Sequence, residues 1–364
     1  MTPRLRLAWF GAVAFVAIFG AGELARWIGE TLAGGGWWAI DLQLVLDGAD
    51  RLASGRPLYE DPKLLYPPLA AVVALPLRAL DPAAVGLAYA AAKLVVAGIA
   101  VRALGATRPL AERVLAFTGL VLSLPFLHDL WLGNANVLLA GAIAMAAFGR
   151  PGPRSGIALG VVAAVFAKPL LIPVLLWLLV FRRGVLAGTV VAGLGATCVG
   201  VLAAGLPAYL AWPAALVAGG RYAGPFAGNH GLTAVLPALW APVALLTGAG
   251  LVLVLARRGP AVGLVWAVTA GILLAPYAGT YSALPAVIAL PVLLPSLPVL
   301  ALVLVAISPI ATTHPLPLFA AVILLGALRP RPRPASGGQD VGQVKEREQH
   351  IPPGRDREDH LPAR

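Results

Sequence analysis

From Leu7 to Leu328 the chain is an almost unbroken succession of apolar stretches, separated by short polar or charged pieces. One membrane span needs roughly 20 apolar residues, so the chain supplies span after span. Of its 364 residues 59% are hydrophobic and 12% charged, where an ordinary soluble domain is about a quarter charged. With a mean hydropathy of +0.86, no soluble fold could bury so much apolar surface. Lipid is therefore the expected solvent. Inside lipid the backbone must satisfy its own hydrogen bonds, and the Ala, Leu, Val and Gly runs lack the alternation of a membrane barrel. The expectation is an all-α polytopic membrane protein.

The net charge of +11 does not point to nucleic acid, because Lys and Arg sit at the ends of apolar runs or in the polar tail. That placement reads as topology. Arg4 and Arg6 precede the first span, residues 7–22, and the positive-inside rule holds the N-terminus in the cytoplasm. The same charges would suit a signal peptide, but later spans need a first one to set their orientation, so it is expected to be retained. Residues 23–82 then lie outside. Further spans read as 83–103, 112–127, 134–148, 155–167, 169–181, 185–205, 236–255, 261–277, 281–295, 298–311 and 315–328, which makes about twelve. This register leaves Arg102, Arg108, Arg113, Arg150, Arg154, Arg182, Arg183, Arg257 and Arg258 cytoplasmic. It requires the short apolar piece 69–80 to lie in the outer interface rather than cross. Residues 1–329 form the membrane domain, and the Arg-, Pro-, Gly- and Glu-rich stretch 330–364 is expected to be a disordered cytoplasmic tail. The lone Cys198 lies in an apolar run and reads as a core residue.

Two external segments carry most of the polar chemistry. The first, residues 23–82, holds Asp41, Asp47, Asp50, Glu60, Asp61 and Lys63; the second, residues 206–235, holds Trp212, Arg221, Tyr222, Asn229 and His230. The run Gly34–Gly36 reads as a flexible connector, and Trp37–Trp38 suit the interface. On a helix Asp50 is turned about 180° from Asp41, so the two cannot share a task. Lys168 interrupts an apolar run, and an uncompensated ammonium at membrane depth costs a few kcal/mol; it needs an anionic partner, a phosphate or a carboxylate, unless it snorkels to the outer interface. His128 precedes Asn134 and Asn136, whose amides suit sugar hydroxyls but also suit a helix cap. Tyr66-Pro67-Pro68 reads as an extended backbone entering a helix. Acids and histidines show no metal-ligand spacing, and no nucleotide-type phosphate loop occurs.

Several of these pieces resemble a known family. Asp41 after the first span, the Ala-rich helical stretch, Gly55-Arg-Pro-Leu-Tyr59, Tyr66-Pro67-Pro68 and Pro76-Leu77 are similar to the first loop of glycosyltransferase family 87. These are polyprenol-phosphate-mannose-dependent mannosyltransferases of GT-C type. Gly133-Asn-Ala-Asn136 resembles the family's Gly-Gln-x-Asn, Ala167-Lys168-Pro169 its Lys-Pro helix break, and Asn229-His230-Gly231-Leu232 its Asn-Gln-Ser-Leu element. The chain departs from the pattern at Val45, where an aromatic is usual, and at Asn134 and His230-Gly231. The resemblance implies a GT-C helical bundle with an external juxtamembrane loop in the plasma membrane. It implies transfer of mannose or a related sugar from a polyprenyl-phosphate donor to a glycolipid or cell-envelope glycan, with inversion.

A lipid-phosphate sugar is already activated, so no cofactor is expected; the donor is a substrate. The chemistry needs one carboxylate to take the acceptor proton and a cation for the leaving phosphate. Asp41 is the expected base, with His230 assisting. Lys168 and Arg221 are expected at the phosphate, and Tyr59, Tyr66, His128, Asn134, Asn136 and Asn229 at the sugar or acceptor. Two other readings are a transporter of lipid-linked sugars, which would place ionisable residues mid-span, and an inactive assembly partner.

Overall fold

A computed structural model describes residues 3–33, 39–104, 109–219, 229–275, 277–287, 298–311 and 316–327. Arg221, Tyr222, Arg108, the Gly34–Trp38 connector and the tail expected at 330–364 lie outside the described residues. The described regular structure is helical throughout, as the apolar runs require.

In chain order the helices are α1 (Pro3–Leu32), α2 (Ile40–Ala53), α3 (Pro68–Ala74), α4 (Pro82–Leu104), α5 (Leu110–Val121), α6 (Leu124–Leu132), α7 (Asn136–Phe148), α8 (Arg154–Phe166), α9 (Leu171–Phe181), α10 (Arg183–Ala204), α11 (Leu206–Gly219), α12 (Leu232–Val235), α13 (Pro237–Arg257), α14 (Pro260–Leu274), α15 (Pro298–Ala311) and α16 (Leu316–Ala327). Among the described residues four helices, α1, α4, α10 and α13, are long and apolar enough to cross a membrane. A fifth span arises if α5 and α6, bent by 55° at their junction, are taken together. The remaining apolar helices of 10–17 residues reach no more than about 26 Å.

Three boundaries differ from expectation for physical reasons. The first span continues to Leu32, ten residues beyond the end of its apolar run, where Arg26 bonds Glu23 at 2.8 Å and Glu30 at 2.5 Å. These i,i+3 and i,i+4 pairs support a helix that has left the apolar run. The single span expected over 112–127 breaks at Ser123, because Pro125 has no N–H to continue the α5 ladder. The second external segment begins with a helix: α11 spans Leu206–Gly219, and its Trp212 Nε1 donates to Leu65 O at 3.0 Å, which ties it to the segment before α3. The apolar piece expected in the interface forms α3 and a 3-10 turn, Leu75–Ala79, together too short to cross.

The largest core cluster draws on α7, α8, α9, α13, α14 and α16, around Leu139, Leu159, Leu178, Leu251, Val265 and Phe319. Helices α8 and α10 approach at backbone contact. A Cβ on Gly156 would stand 2.0 Å from Val185 O and one on Gly160 2.2 Å from Thr189 O, the small-residue packing by which helices associate in lipid. Helix α2 is amphipathic, burying Val45, Gly48 and Ala49 towards α3 and Leu42 against Val85 of α4, while Asp47 and Asp50 face out. Arg78 Nε reaches Asp50 Oδ1 at 2.5 Å and Arg51 reaches Glu60 at 3.1 Å, so Asp50 and Glu60 are paired along this layer.

Candidate active site

The site is organised by the turn between α6 and α7. Gly133 ends α6 in the left-handed region, φ 68° and ψ 25°, a conformation that favours glycine. A Cβ there would meet Leu42 Cβ at 2.9 Å and Ala39 Cα at 3.0 Å, so the glycine also lets α2 approach. Ala39 N donates to Trp131 O at 2.7 Å, pinning the start of α2 to the end of α6. Asp41 therefore arrives in the first turn of α2 beside residues 133–136.

Beneath this turn lies a charge pair that the sequence reading did not single out. Lys93, in the middle of α4, and Asp129, on α6, are both fully buried, and Lys93 Nζ stands 2.8 Å from Asp129 Oδ1 and 2.7 Å from Asp129 O. The other carboxylate oxygen accepts from Asn136 N at 2.8 Å, so Asp129 caps the first turn of α7. Asn134 N returns to Asp129 O at 3.0 Å, and one turn along α4 Tyr89 OH donates to Asn134 O at 3.1 Å. The signal for this pair was a lysine inside an apolar span with an acid elsewhere among the spans. Each isolated charge would be costly in lipid, so each implied a partner.

The Asn134 amide then joins the two charged residues singled out from the sequence. Its Nδ2 donates to Asp41 Oδ2. Its Oδ1 accepts from Lys168 Nζ at 2.6 Å, from Ala135 N at 2.7 Å and from Asn136 Nδ2 at 2.9 Å. Lys168 follows the end of α8, where Ala167 takes φ 34° and ψ 54°. Its ammonium also lies 5.4 Å from the centre of the Tyr281 ring. Among the described residues Lys168 has no carboxylate ion-pair partner. Burial is the largest influence on Asp41 and pushes its carboxyl up, while Lys168 and the Asn134 amide pull it back.

Around this centre stand tyrosines from two segments: Tyr66 from one and Tyr277 with Tyr281 from the other all lie close enough to Asp41 to interact with its charge. Tyr59 does not reach in by its hydroxyl; it donates to Tyr66 O at 2.9 Å and holds that loop. Tyr66 packs edge-on against Phe166 at 5.6 Å. Asn229 is buried and committed to the backbone: its Oδ1 accepts from Gly231 N at 2.9 Å and Ala278 N at 3.1 Å, and its Nδ2 donates to Thr233 at 3.0 Å. His230 N donates to Ala278 O at 2.8 Å. These bonds bring the His230 segment against the one carrying Tyr277 and Tyr281. His128 stacks on Trp27 at 5.0 Å and interacts electrostatically with His230.

The geometry thus gathers Asp41, Asn134, Asn136, Lys168 and Tyr66 with the unforeseen Lys93, Asp129, Tyr89, Tyr277 and Tyr281. It uses Tyr59 and Asn229 to hold backbone, and among the described residues Asn136 Oδ1 is a buried acceptor without a donor. Among the described residues no group of three His, Cys, Asp or Glu side chains could hold a metal ion. A carboxylate and an ammonium linked through one neutral amide can take a proton on one side and receive an anion on the other. The chain matches the family described as glycosyltransferase family 87 over residues 64–331, a stretch that begins after Asp41 and includes Lys93, Asp129, Asn134, Lys168 and His230. No curated protein and no solved structure matches it.

Proposed function

The chain belongs to glycosyltransferase family 87 and is therefore a membrane glycosyltransferase, and from this premise we propose that it is an inverting enzyme that moves mannose, or a related sugar, from a polyprenyl-phosphate donor to a glycolipid or cell-envelope glycan. It works at the outer face of the plasma membrane as a GT-C type bundle of about twelve membrane helices, with both termini cytoplasmic and residues 330–364 as a tail.

One observation carries this reading: the Asn134 amide holds the carboxylate of Asp41 and the ammonium of Lys168 on its two ends, and among the described residues the ammonium makes no direct ion pair with a carboxylate. Asp41 takes the proton of the acceptor hydroxyl as its oxygen bonds to the anomeric carbon. The bond from that carbon to the phosphate oxygen breaks, and the electron pair leaves with the phosphate, whose charge Lys168 receives. A single displacement of this kind inverts the anomeric centre and needs one base. His230 assists from the opposite segment, with Arg221 a second cation for the phosphate. The tyrosines and the free acceptor of Asn136 offer contacts to sugar.

The Lys93–Asp129 pair also bears on the transporter reading, which would place ionisable groups mid-span. This pair is neutralised at 2.8 Å and buried under the site, where it supports a turn rather than lining a path. The test is sugar transfer from a radiolabelled polyprenyl-phosphate-mannose donor by the purified protein. Wild type should join label to acceptor, and Asp41→Asn should lose about 1,000-fold in turnover. Label that crosses the membrane without joining acceptor would establish a transporter; neither movement nor transfer would establish an assembly partner.

A further inference from the structure

The Asn134 amide is locked in one orientation by its surroundings. Three donors converge on Oδ1, namely Lys168 Nζ, Ala135 N and Asn136 Nδ2, and the carboxylate of Asp41 faces Nδ2. A flipped amide would set its own N–H groups against those donors and its carbonyl against a carboxylate, so the network admits one arrangement. The residue is 3% exposed, and its backbone is clamped from both sides by Asp129 O and Tyr89 OH. The clamp in turn rests on the buried Lys93–Asp129 pair.

We propose that Asn134 is a positioning residue rather than a sugar ligand: its locked amide turns the Asp41 carboxylate so that Oδ1 faces the acceptor hydroxyl, and it stands between Asp41 and Lys168 so that the two cannot collapse into a direct ion pair. The proposal rests on the reading of Asp41 as the base. Asp41 Oδ2 is taken by the amide, which leaves Oδ1 as the oxygen available for a proton. A base must lie within hydrogen-bond reach of the proton it removes, so fixing one oxygen aims the other. Without the spacer, the ammonium and the carboxylate could meet directly, and each would neutralise the charge the other step requires.

Two substitutions at this position separate the claims, because they should move the pH profile in opposite directions. Asn134→Asp keeps an oxygen for all three donors, so the turn holds, but it sets a second carboxylate against Asp41. The acidic limb of kcat/KM should rise by about one pH unit or more. Asn134→Ala removes the spacer, Asp41 meets Lys168, and the limb should fall. Both should lose about 100-fold in kcat/KM at neutral pH, with the wild-type gel-filtration profile retained. If both limbs coincide with wild type, the positioning role is overturned; if Asn134→Ala does not fold, the limb of Asn134→Asp decides alone. Asp41→Asn is assayed alongside: full turnover there removes the base assignment itself, whereas an inactive Asp41→Asn with unmoved Asn134 limbs removes only the role proposed for the amide.

Discussion

Asp41 and Asn134 lie 93 residues apart in the chain and meet through a hydrogen bond from Asn134 Nδ2 to Asp41 Oδ2. Through the same amide Asp41 is coupled to Lys168, 34 residues further on. The contact exists because Gly133 lets the first turn of α2 settle on the end of α6.

The pH dependence of transfer follows from where this carboxylate sits. Burial raises the Asp41 carboxyl, and Lys168 and Asn134 offset part of that. An acid is inactive as a base once protonated, so activity is present above its raised pKa and lost as pH falls through it. The acidic limb of kcat/KM should therefore lie above the ordinary aspartate value of about 3.9. A pH–rate profile reads this directly, and a limb at or below that value contradicts the burial argument.

The fully buried Lys93 and the partly buried Lys168 should behave differently when neutralised. Lys168→Met breaks no direct ion pair, so the protein should fold, but it removes a charge that offsets the burial of Asp41; the KM for the lipid-phosphate donor should rise about 10-fold or more, with turnover also reduced. Lys93→Met leaves Asp129 buried without its cation, a defect of about 3–5 kcal/mol. It should lower the melting temperature in detergent markedly. Steady-state kinetics and a thermal melt on both variants test the contrast, and equal melting temperatures would contradict it.

Gly133→Ala combines a left-handed backbone with a Cβ placed 2.9 Å from Leu42. The strain alone is about 1–2 kcal/mol, and relief requires α2 to move away. Activity should fall further than stability, because Asp41 rides on α2. The measurement is turnover at a temperature well below the melting midpoint of the variant.

Asp47 faces out on α2, away from the site. Asp47→Asn should keep turnover within about threefold of wild type and leave the acidic limb in place, since exposed substitutions away from special features change little. A large loss would mean that the outer face of α2 meets the acceptor.

Much of this protein was legible residue by residue. Lys168 was marked by its place in an apolar run, and Asp41 by following the first span. Lys93 carried the same mid-span signal, but its partner could not be read, because Asp129 lies 36 residues away on a helix whose bend at Ser123 sets its direction. The roles of Asn134 and Tyr59 were equally hidden. An amide or a phenol offers the same donors to a sugar as to a neighbouring chain, and only proximity selects among them.

What the sequence by itself determined is the solvent and the secondary structure: apolar runs of this length must lie in lipid, and lipid obliges the backbone to close its hydrogen bonds within helices. What only the tertiary structure decided is which polar side chains meet. That depends on helix lengths, the break at Ser123 and the left-handed turn at Gly133. Local hydropathy is indifferent to these long-range approaches, while the orientation of a carboxylate is set by contacts of a few ångströms.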